Sequence, residues 1–285
     1  MTTRLERARL GEMQVRLVNV RRRGAVHDAR EVSLRLACEG AFAEGFTAGD
    51  NRRLLPGDAL RNTVLALARR EPVDRLEHFG ARLGAHLLDE CPWLERVTVT
   101  LEERPWVRVA VPGREGREPH AHAFLAGGAE TWTAEATCAR DGTRWTSGLR
   151  ALEVMRTAGV AFEGHAQVRY GSVAPPAHAV LRAALDARWE WSEAPGDFAA
   201  ANSQARDALL AAFATEAAPS VPALVHRMAL AALGRVPALA RVHLALSLRA
   251  CALADLAPLG LDNPGEVYVP AEEPHGLVEA TVARA

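Results

Sequence analysis

The sequence predicts an α+β protein made of two tandem ββααββ units, each an antiparallel sheet with its helices on one face. Three observations predict this fold: stretches in which apolar and polar residues alternate, pairs of longer stretches with apolar residues at helical spacing, and the recurrence of this order in both halves. A sheet covered on one side keeps open edges that must pair or close. We therefore expect units at 1–128 and 129–285 that close a barrel when chains associate.

The first half contains signals in the order strand, strand, helix, helix, strand, strand. Asp58 is typical of a helix N-cap, because apolar residues follow it at helical spacing. Pro72 opens the second helix in its first turn, where a missing N–H is tolerated, and Pro92 ends it. The predicted strands are residues 13–20, Val32–Ala37, Val97–Glu102 and Trp106–Val111.

The second half repeats this order, with a hairpin turn at Asp141-Gly142. Irregular extended chain is predicted from Trp145 to Trp191, and Ser220 is predicted to cap a helix. The other predicted elements are a strand at Thr131–Arg140, helices at Ala200–Ala217 and Ser220–Gly234, and strands at Val242–Leu248, Glu266–Val269 and Leu277–Val282.

The charge composition excludes several classes of function. The 34 basic and 35 acidic residues give a net charge of −1, which argues against nucleic acid or an anionic membrane as a partner. No apolar run reaches the roughly 18 residues of a membrane span, and the first residues lack the core of a signal peptide, so we expect a cytoplasmic protein. The sequence contains no lysine, which excludes Schiff-base chemistry, a lysine base and a Walker-type phosphate loop.

Neither a disulfide framework nor a metal centre is predicted. The four cysteines include no CxxC pair, so we expect buried free thiols. His120 and His122 share one face of a strand, as two metal ligands would, but the spacing places no third ligand. Structural histidines are therefore the favoured interpretation.

Seven blocks of sequence carry a family resemblance. They are Val15–Arg22, Gly49–Leu54, Gly57–Ala68, His120–Phe124, Ser147–Gly164, Pro219–Ala229 and Gly260–Arg284. In this order and without large gaps, they resemble the urate oxidase (uricase) family from about Gly11 to Val282. The resemblance implies two tunnelling-fold (T-fold) units per chain, a homotetramer, and chemistry on a purine that needs no cofactor.

The resemblance also implies a defined site. An arginine and a glutamine clamp the polar edge of urate, a phenylalanine stacks on its face, and a lysine–threonine pair relays protons. An asparagine and a histidine hold dioxygen or water above the ring. The stacking residue is retained as Phe162, the aspartate beside the relay threonine is retained as Asp58, and the backbone of Val221 keeps its place.

Most other positions of that site carry different residues. Glu12 stands at the lysine position and Gly57 at the threonine position. The clamp arginine, clamp glutamine, asparagine and histidine positions hold, in that order, Ala179, Pro222, Leu248 and Ala250. The resemblance therefore implies a family member that lacks most of the catalytic side chains.

Two sets of residues are candidates to replace the missing catalytic side chains. Arg182 and Arg249 lie near substituted positions, but an odd offset along a strand turns both side chains to the opposite face. Glu12 and Asp58 would form an acid/base couple if the family geometry brings the two carboxylates together, because neighbouring carboxylates share a proton. The alternative is a solvated glutamate and a helix-capping aspartate.

Three functions remain open. The first is a degenerate uricase homologue with little or no oxidase activity, which keeps a purine-sized pocket or serves as a scaffold or partner. The second is an active urate oxidase, converting urate, dioxygen and water to 5-hydroxyisourate and peroxide, with relocated catalytic residues. The third is other heterocycle chemistry through Glu12 and Asp58. The absence of lysine weighs against the second, because no lysine elsewhere can supply the family's base.

Overall fold

The computed structural model describes residues 3–71, 73–113, 116–159, 166, 168–170 and 180–285. The chain divides into two compact units, Met1–Ser147 and Gly148–Ala285. The division predicted between residues 128 and 129 lies before a strand that pairs within the first unit, so the structural boundary falls later in the chain. The α+β class with antiparallel sheets is confirmed.

The first unit contains one main sheet and one separate hairpin. Its strands are β1 (Leu10–Arg23), β2 (Val26–Gly40), β3 (Leu94–Arg104), β4 (Trp106–Gly113), β5 (Gly116–Ala126) and β6 (Thr131–Ala139). The main sheet has the order β1-β2-β3-β6, with every pair antiparallel. The predicted strand Trp106–Val111 is confirmed as β4, but it pairs with β5 in the separate hairpin, and β6 takes the place beside β3 in the main sheet.

Three helices follow β2, namely α1 (Ala43–Thr47), α2 (Gly57–Arg70) and α3 (Leu76–Glu90). The long helices bury one apolar stripe each, and α3 packs against β3 and β6. Asp58 is not the N-cap: α2 begins one residue earlier, after Pro56, and Asp58 lies in its first turn. Pro72 is outside the described residues, and α3 begins only at Leu76.

The second unit is built from β7 (Gly142–Arg156, which crosses the boundary), β8 (Leu181–Trp191), α4 (Phe198–Thr215), α5 (Val221–Arg235), β9 (Leu239–Leu253) and β10 (Tyr268–Ala283). Its strand order is β7-β8-β9-β10. The predicted irregular chain after Trp145 is wrong over β7 and β8, which are long strands. The predicted strand Leu277–Val282 and the last two residues of the predicted strand Glu266–Val269 belong to one strand, β10, which pairs with β9 on both sides of a register shift.

Both predicted helices of the second unit form, with ends that differ from the prediction by one or two residues. The hydroxyl of Ser220 accepts a hydrogen bond of 3.3 Å from the N–H of Ala223, which confirms the predicted cap of α5. Trp189 is fully buried and donates from Nε1 to Oδ1 of Asn202 at 3.0 Å. Within the described part of the chain, no helix combines the length and apolar character needed to cross a membrane.

The cysteine thiols are free, as predicted, and three of the four are buried. Burial raises the pKa of the Cys38 thiol to about 11, and nearby Cys91 adds to the shift. Burial also raises the pKa of Cys138. Because the thiolate is the reactive form, these thiols are inert in the folded protein.

We expect only Cys251, which is half-buried, to react quickly with Ellman's reagent at pH 8 in the native protein. All four thiols should react after unfolding in guanidinium, because exposure removes both the steric block and the raised pKa. Cys251→Ser is the control and should abolish the fast native phase. A fast phase of two or more thiols would contradict the burial described for Cys38, Cys91 and Cys138.

Helix α3 approaches β6 closely through a glycine. A Cβ atom added at Gly84 would lie 2.5 Å from Sγ and 2.9 Å from Cβ of Cys138. Gly234 on α5 offers a matched control, because a Cβ atom there meets no heavy atom within 4 Å. Gly84 is thus buried in close contact with β6, whereas Gly234 is exposed and has open space beside it.

We expect Gly84→Ala to lower the free energy of unfolding by about 1–3 kcal/mol, because α3 must move away from β6. Gly234→Ala should raise it by up to about 1 kcal/mol, since alanine reduces the freedom of the unfolded chain. Guanidinium unfolding curves followed by circular dichroism measure both. Equal changes in the two variants would show that α3 does not depend on the close approach.

Candidate functional site

A bulge in β1 sets the direction of the Glu12 side chain. Glu12 pairs with Leu36 of β2, but the next paired residue on β1 is Val15, opposite Leu34. Inside the bulge Gln14 has φ +57, a left-handed conformation that costs free energy in a non-glycine residue. Bulges of this kind bend a strand and re-aim the side chains beside them.

The carboxylate of Glu12 lies at the start of α2. Its Oε1 accepts a hydrogen bond of 2.7 Å from Nη2 of Arg61, and its Oε2 lies only 2.6 Å from where a Cβ atom at Gly57 would be. The Glu12 side chain is 16% exposed and that of Arg61 is 58% exposed. Glycine at this position therefore provides the space that the carboxylate fills.

A helix N-terminus and a guanidinium group lie beside the Glu12 carboxylate. Gly57 is the first residue of α2, so the carboxylate lies at the positive end of the helix dipole, beside N–H groups that lack partners within the helix. The Arg61 guanidinium supplies a charged hydrogen bond on the same side. The site is thus an internal carboxylate–guanidinium pair and not an open acidic group.

Asp58 lies next to this pair in the chain but does not join it. Its side chain is exposed in the first turn of α2. In the described part of the chain, no hydrogen bond links the carboxylates of Glu12 and Asp58. The acid/base couple stays a prediction, and the structure places Arg61, which sequence reasoning missed, against Glu12.

The first turn of α5 presents the backbone that the resemblance assigns to the ligand. Val221 is the first residue of the helix and Pro222, which has no N–H, is the second. Ser220 accepts from the third, Ala223, so the N–H of Val221 remains directed out of the helix start. Phe162 and Ala179 lie outside the described residues.

The two arginines expected to point away from the substituted positions lie together. Arg182 of β8 and Arg249 of β9 are direct cross-strand partners. Glu153 of β7 holds both: its Oε1 lies 3.0 Å from Nη1 of Arg249, and its Oε2 lies 3.8 Å from Nη2 of Arg182. Leu248, next to Arg249, belongs to the opposite face of β9, because strand side chains alternate. Sequence reasoning missed this cluster because only the strand register reveals it.

The histidines of β5 belong to a ring cluster that anchors the hairpin. The ring of His122 lies 4.6 Å from that of His120 and 5.6 Å from that of His27, between centroids. Arg108 of β4 donates to the carbonyl of His120 at 3.0 Å and to Oδ1 of Asp28 at 2.8 Å. Among the described residues, no group of three or more histidine, cysteine or acidic side chains is placed to hold a metal ion.

A cavity of about 460 Å³ lies between this hairpin and the main sheet of the first unit. Two of its charged residues pair with each other: Arg30 donates to both oxygens of Glu103, at 2.9 and 2.7 Å. Burial raises the pKa of Glu103, and the Arg30 guanidinium opposes that shift. A second cavity, of about 370 Å³, is lined by the bulge residues Met13 and Gln14.

Both the fold and the sequence of this chain match those of known proteins, beginning with the fold. The structure matches the crystal structure of uricase from Arthrobacter globiformis with a TM-score of 0.92 and 29% identity, covering 100% of this chain and 96% of that chain. Urate oxidase from Bacillus sp. TB-90 matches with a TM-score of 0.82 at 20% identity, which supports the fold alone. The α+β T-fold architecture expected from the resemblance is confirmed by these matches.

The sequences of known uricases match along nearly the whole chain. Uricase from Arthrobacter globiformis is 30% identical over 274 residues, covering 96% of this chain and 88% of that protein. Uricase from Cyberlindnera jadinii is 28% identical over 301 residues, covering 100% and 98%. The family model for uricase matches residues 8–137 and 145–279, so the chain belongs to the uricase family.

Proposed function

We propose that this chain is a degenerate member of the uricase family, derived from purine catabolism, with little or no urate oxidase activity. It retains the scaffold and binds a purine or related heterocycle, or acts as a partner of an active uricase. The observation that carries the proposal is the carboxylate of Glu12, ion-paired with Arg61 and lying in the space beside Gly57. The resemblance assigns these two positions to the lysine and threonine of the proton relay.

The paired carboxylate is poorly suited to replace that relay. A relay needs a group that gives up and takes back a proton, and a hydroxyl that passes it on. Glu12 is already engaged by an arginine, which stays charged at every working pH, and Gly57 has no hydroxyl. Losing general acid–base catalysis lowers the rate by about 10²–10⁴.

The residues at the clamp positions also support a loss of urate oxidase activity. Charge-assisted hydrogen bonds are worth about 1.5–3 kcal/mol each. An alanine and a proline in place of the clamp residues would therefore weaken the free energy of urate binding by several kcal/mol. That corresponds to about two to four decades in affinity. The guanidinium of Arg249 does not replace the asparagine that the resemblance expects at Leu248, since Glu153 holds it on the opposite face of β9.

We further propose that the chain acts in the cytoplasm as a homotetramer whose sheets pair edge to edge into a barrel. β1 forms an edge of the first unit's sheet with 14 residues, and β10 forms an edge of the second unit's sheet with 16. Long edges of this kind associate unless they are covered. Exposed apolar side chains on both strands, such as Val18 and Leu277, favour a second copy of the chain as the cover.

Incubation with urate under oxygen tests the loss of activity. We expect no fall in urate absorbance and no peroxide above a heat-inactivated sample, while uricase from Arthrobacter globiformis turns over in parallel. We also expect calorimetric titration to show urate binding about two to four decades weaker than to that enzyme, since both clamp residues are replaced.

Turnover by the native chain would contradict the proposal and favour an oxidase with relocated residues. If that turnover disappeared in Glu12→Gln while Asp58→Asn changed its pH profile, the couple of Glu12 and Asp58 would be the working chemistry. Turnover unchanged in both variants would place the chemistry elsewhere in the chain.

A double-mutant cycle tests the geometry on which the proposal depends. In the native protein Gly57→Ala should lower the free energy of unfolding by up to about 1 kcal/mol, because the added methyl displaces Glu12 from Arg61. In a Glu12→Ala background the same change should raise it by a few tenths to about 1 kcal/mol, because the space is then open. Urea unfolding of the four proteins measures the coupling, and additive effects would show that Glu12 does not occupy this space.

A further inference from the structure

The cavity of about 460 Å³ in the first unit begins where the apolar core under the helices ends. Val32 of β2 is buried on the helix side of the sheet, and Asp28, four residues earlier, belongs to the same face. Asn19 of β1 donates from Nδ2 to the carbonyl of Ala68, near the end of α2, at 3.1 Å. Farther along the same strand, Arg21 is the cross-strand partner of Asp28, and both line the cavity. The helix-covered face of the sheet thus turns from apolar to charged at this point.

The walls of the cavity are held by ion pairs. The two hydrogen bonds from Arg30 to Glu103 join β2 to β3. Arg108 of β4 donates to Oδ1 of Asp28 at 2.8 Å, and its guanidinium carbon lies 5.1 Å from the ring centroid of Phe124. These contacts attach the β4–β5 hairpin to the main sheet. The cavity is therefore formed before any ligand binds, which lowers the cost of binding.

The lining of the cavity carries more positive than negative charge. Among the described residues that line it, five are arginine and three are acidic: Arg21, Arg23, Arg30, Arg75 and Arg108, with Asp28, Asp74 and Glu103. Asp28 serves several of these arginines, since Arg108 binds its Oδ1 and Nε of Arg23 lies 3.7 Å from its Oδ2. Within the described part of the chain, the Arg21 guanidinium forms no hydrogen bond or ion pair. The lining therefore favours a negatively charged ligand.

An exposed aromatic ring belongs to the same lining. Trp132 packs against the hydrophobic core, and the ring of Phe124 lies under the guanidinium of Arg108. Trp106 differs from both because it is 38% exposed. Its Nε1 donates to Oε2 of Glu31 at 3.1 Å, so the indole is held by its edge. The face of a ring held in this way is available to stack on a planar ligand.

The cavity lies far from the carboxylate of Glu12. Glu12 pairs with Leu36 near the start of β1, whereas Arg21 pairs with Asp28 near the end of the same strand. The intervening stretch of extended chain spans about 25–30 Å. Cavities of about 300–1,000 Å³ commonly hold small organic ligands, so this one is larger than an inorganic anion requires. An inference about this cavity does not rest on the proposed loss of oxidase activity.

We propose that this cavity binds a small planar organic anion, an aromatic ring that stacks on Trp106 and carries a phosphate or carboxylate group that binds Arg21 and Arg23. A guanidinium group binds either anion through two parallel N–H donors. Arg23 is 62% exposed and its contact with Asp28 is long, so it can turn toward the ligand. Arg30 and Arg108 keep their carboxylate partners and hold the walls. Nucleoside monophosphates and aromatic carboxylates share this chemistry.

Calorimetric titration of the full chain tests the site with adenosine monophosphate and 2-naphthoate, at constant ionic strength balanced with sodium chloride. We expect saturable binding of at least one of the two probes. Adenosine, inorganic phosphate and acetate offer only the ring or only the charge, and each should bind at least about tenfold more weakly than that probe. Tighter binding of adenosine monophosphate identifies a phosphate ligand, and tighter binding of 2-naphthoate identifies a carboxylate ligand.

Substitutions at the exposed lining residues locate the binding. The double variant Arg21→Gln/Arg23→Gln should weaken it about ten- to a hundredfold, because two charge-assisted contacts are lost. Trp106→Ala should weaken it about tenfold through the loss of stacking, while Trp106→Phe should keep most of the affinity. Arg22→Gln is the matched control: Arg22 is exposed, lies between the two arginines on the opposite face of β1, and should leave binding unchanged.

Three results would overturn the proposal. The first is no saturable binding of either probe, and the second is equal binding of the compounds that offer only ring or only charge. The third is an equal loss of affinity in Arg22→Gln and in the double variant, which would indicate a general attraction of anions to the basic end of β1. Circular dichroism of each variant checks that the native fold is retained, which we expect because the Arg21, Arg22 and Arg23 side chains are exposed.

Discussion

In each unit only one face of the sheet is buried, and the placement of the charged residues depends on this constraint. In the first unit the alternate residues Val97, Val99 and Leu101 of β3 are fully buried, and α3 packs on that strand. In the second unit Leu244 and Leu246 of β9 are buried in the same way, with α5 against the strand. Since side chains alternate along a strand, the other face of each sheet must carry the polar residues. Charged groups such as the Arg182–Arg249 pair are therefore held in half-buried positions, where each needs a partner.

The residues at positions 12 and 57 depend on each other physically. A glutamate at residue 12 brings its carboxylate to the start of α2, where any Cβ at residue 57 would collide with it. Glycine at residue 57 removes that collision, while Arg61 and the helix N-terminus stabilise the new negative charge. The residues at positions 12 and 57 are thus sterically coupled, and Arg61 provides the charged partner of the carboxylate.

The sequence predicted the strands and helix starts that periodicity and capping determine. It did not predict the contacts that depend on the register between strands. Alternation located β1, β2 and β9, and Ser220 marked the start of α5, because both signals are local. The strand β8 and the part of β7 after Trp145 were not predicted, since β7 has charged residues on a half-exposed face and β8 follows a segment without clear periodicity. The contact of Glu12 with Arg61 joins residues 49 apart in the chain, and the bulge that directs it has no local sequence signature. For the same reason, the register that joins Arg182 to Arg249 could only come from the folded structure.

Because the sequence contains no lysine, each half-buried positive charge in the sheets is carried by an arginine. A half-buried lysine can relieve repulsion by releasing its proton, whereas arginine remains charged at every working pH. Two opposed arginines on a sheet therefore need an anion permanently, and the protein can supply it only as a carboxylate or take it from solution. Glu153 of β7 supplies such a carboxylate to both Arg182 and Arg249.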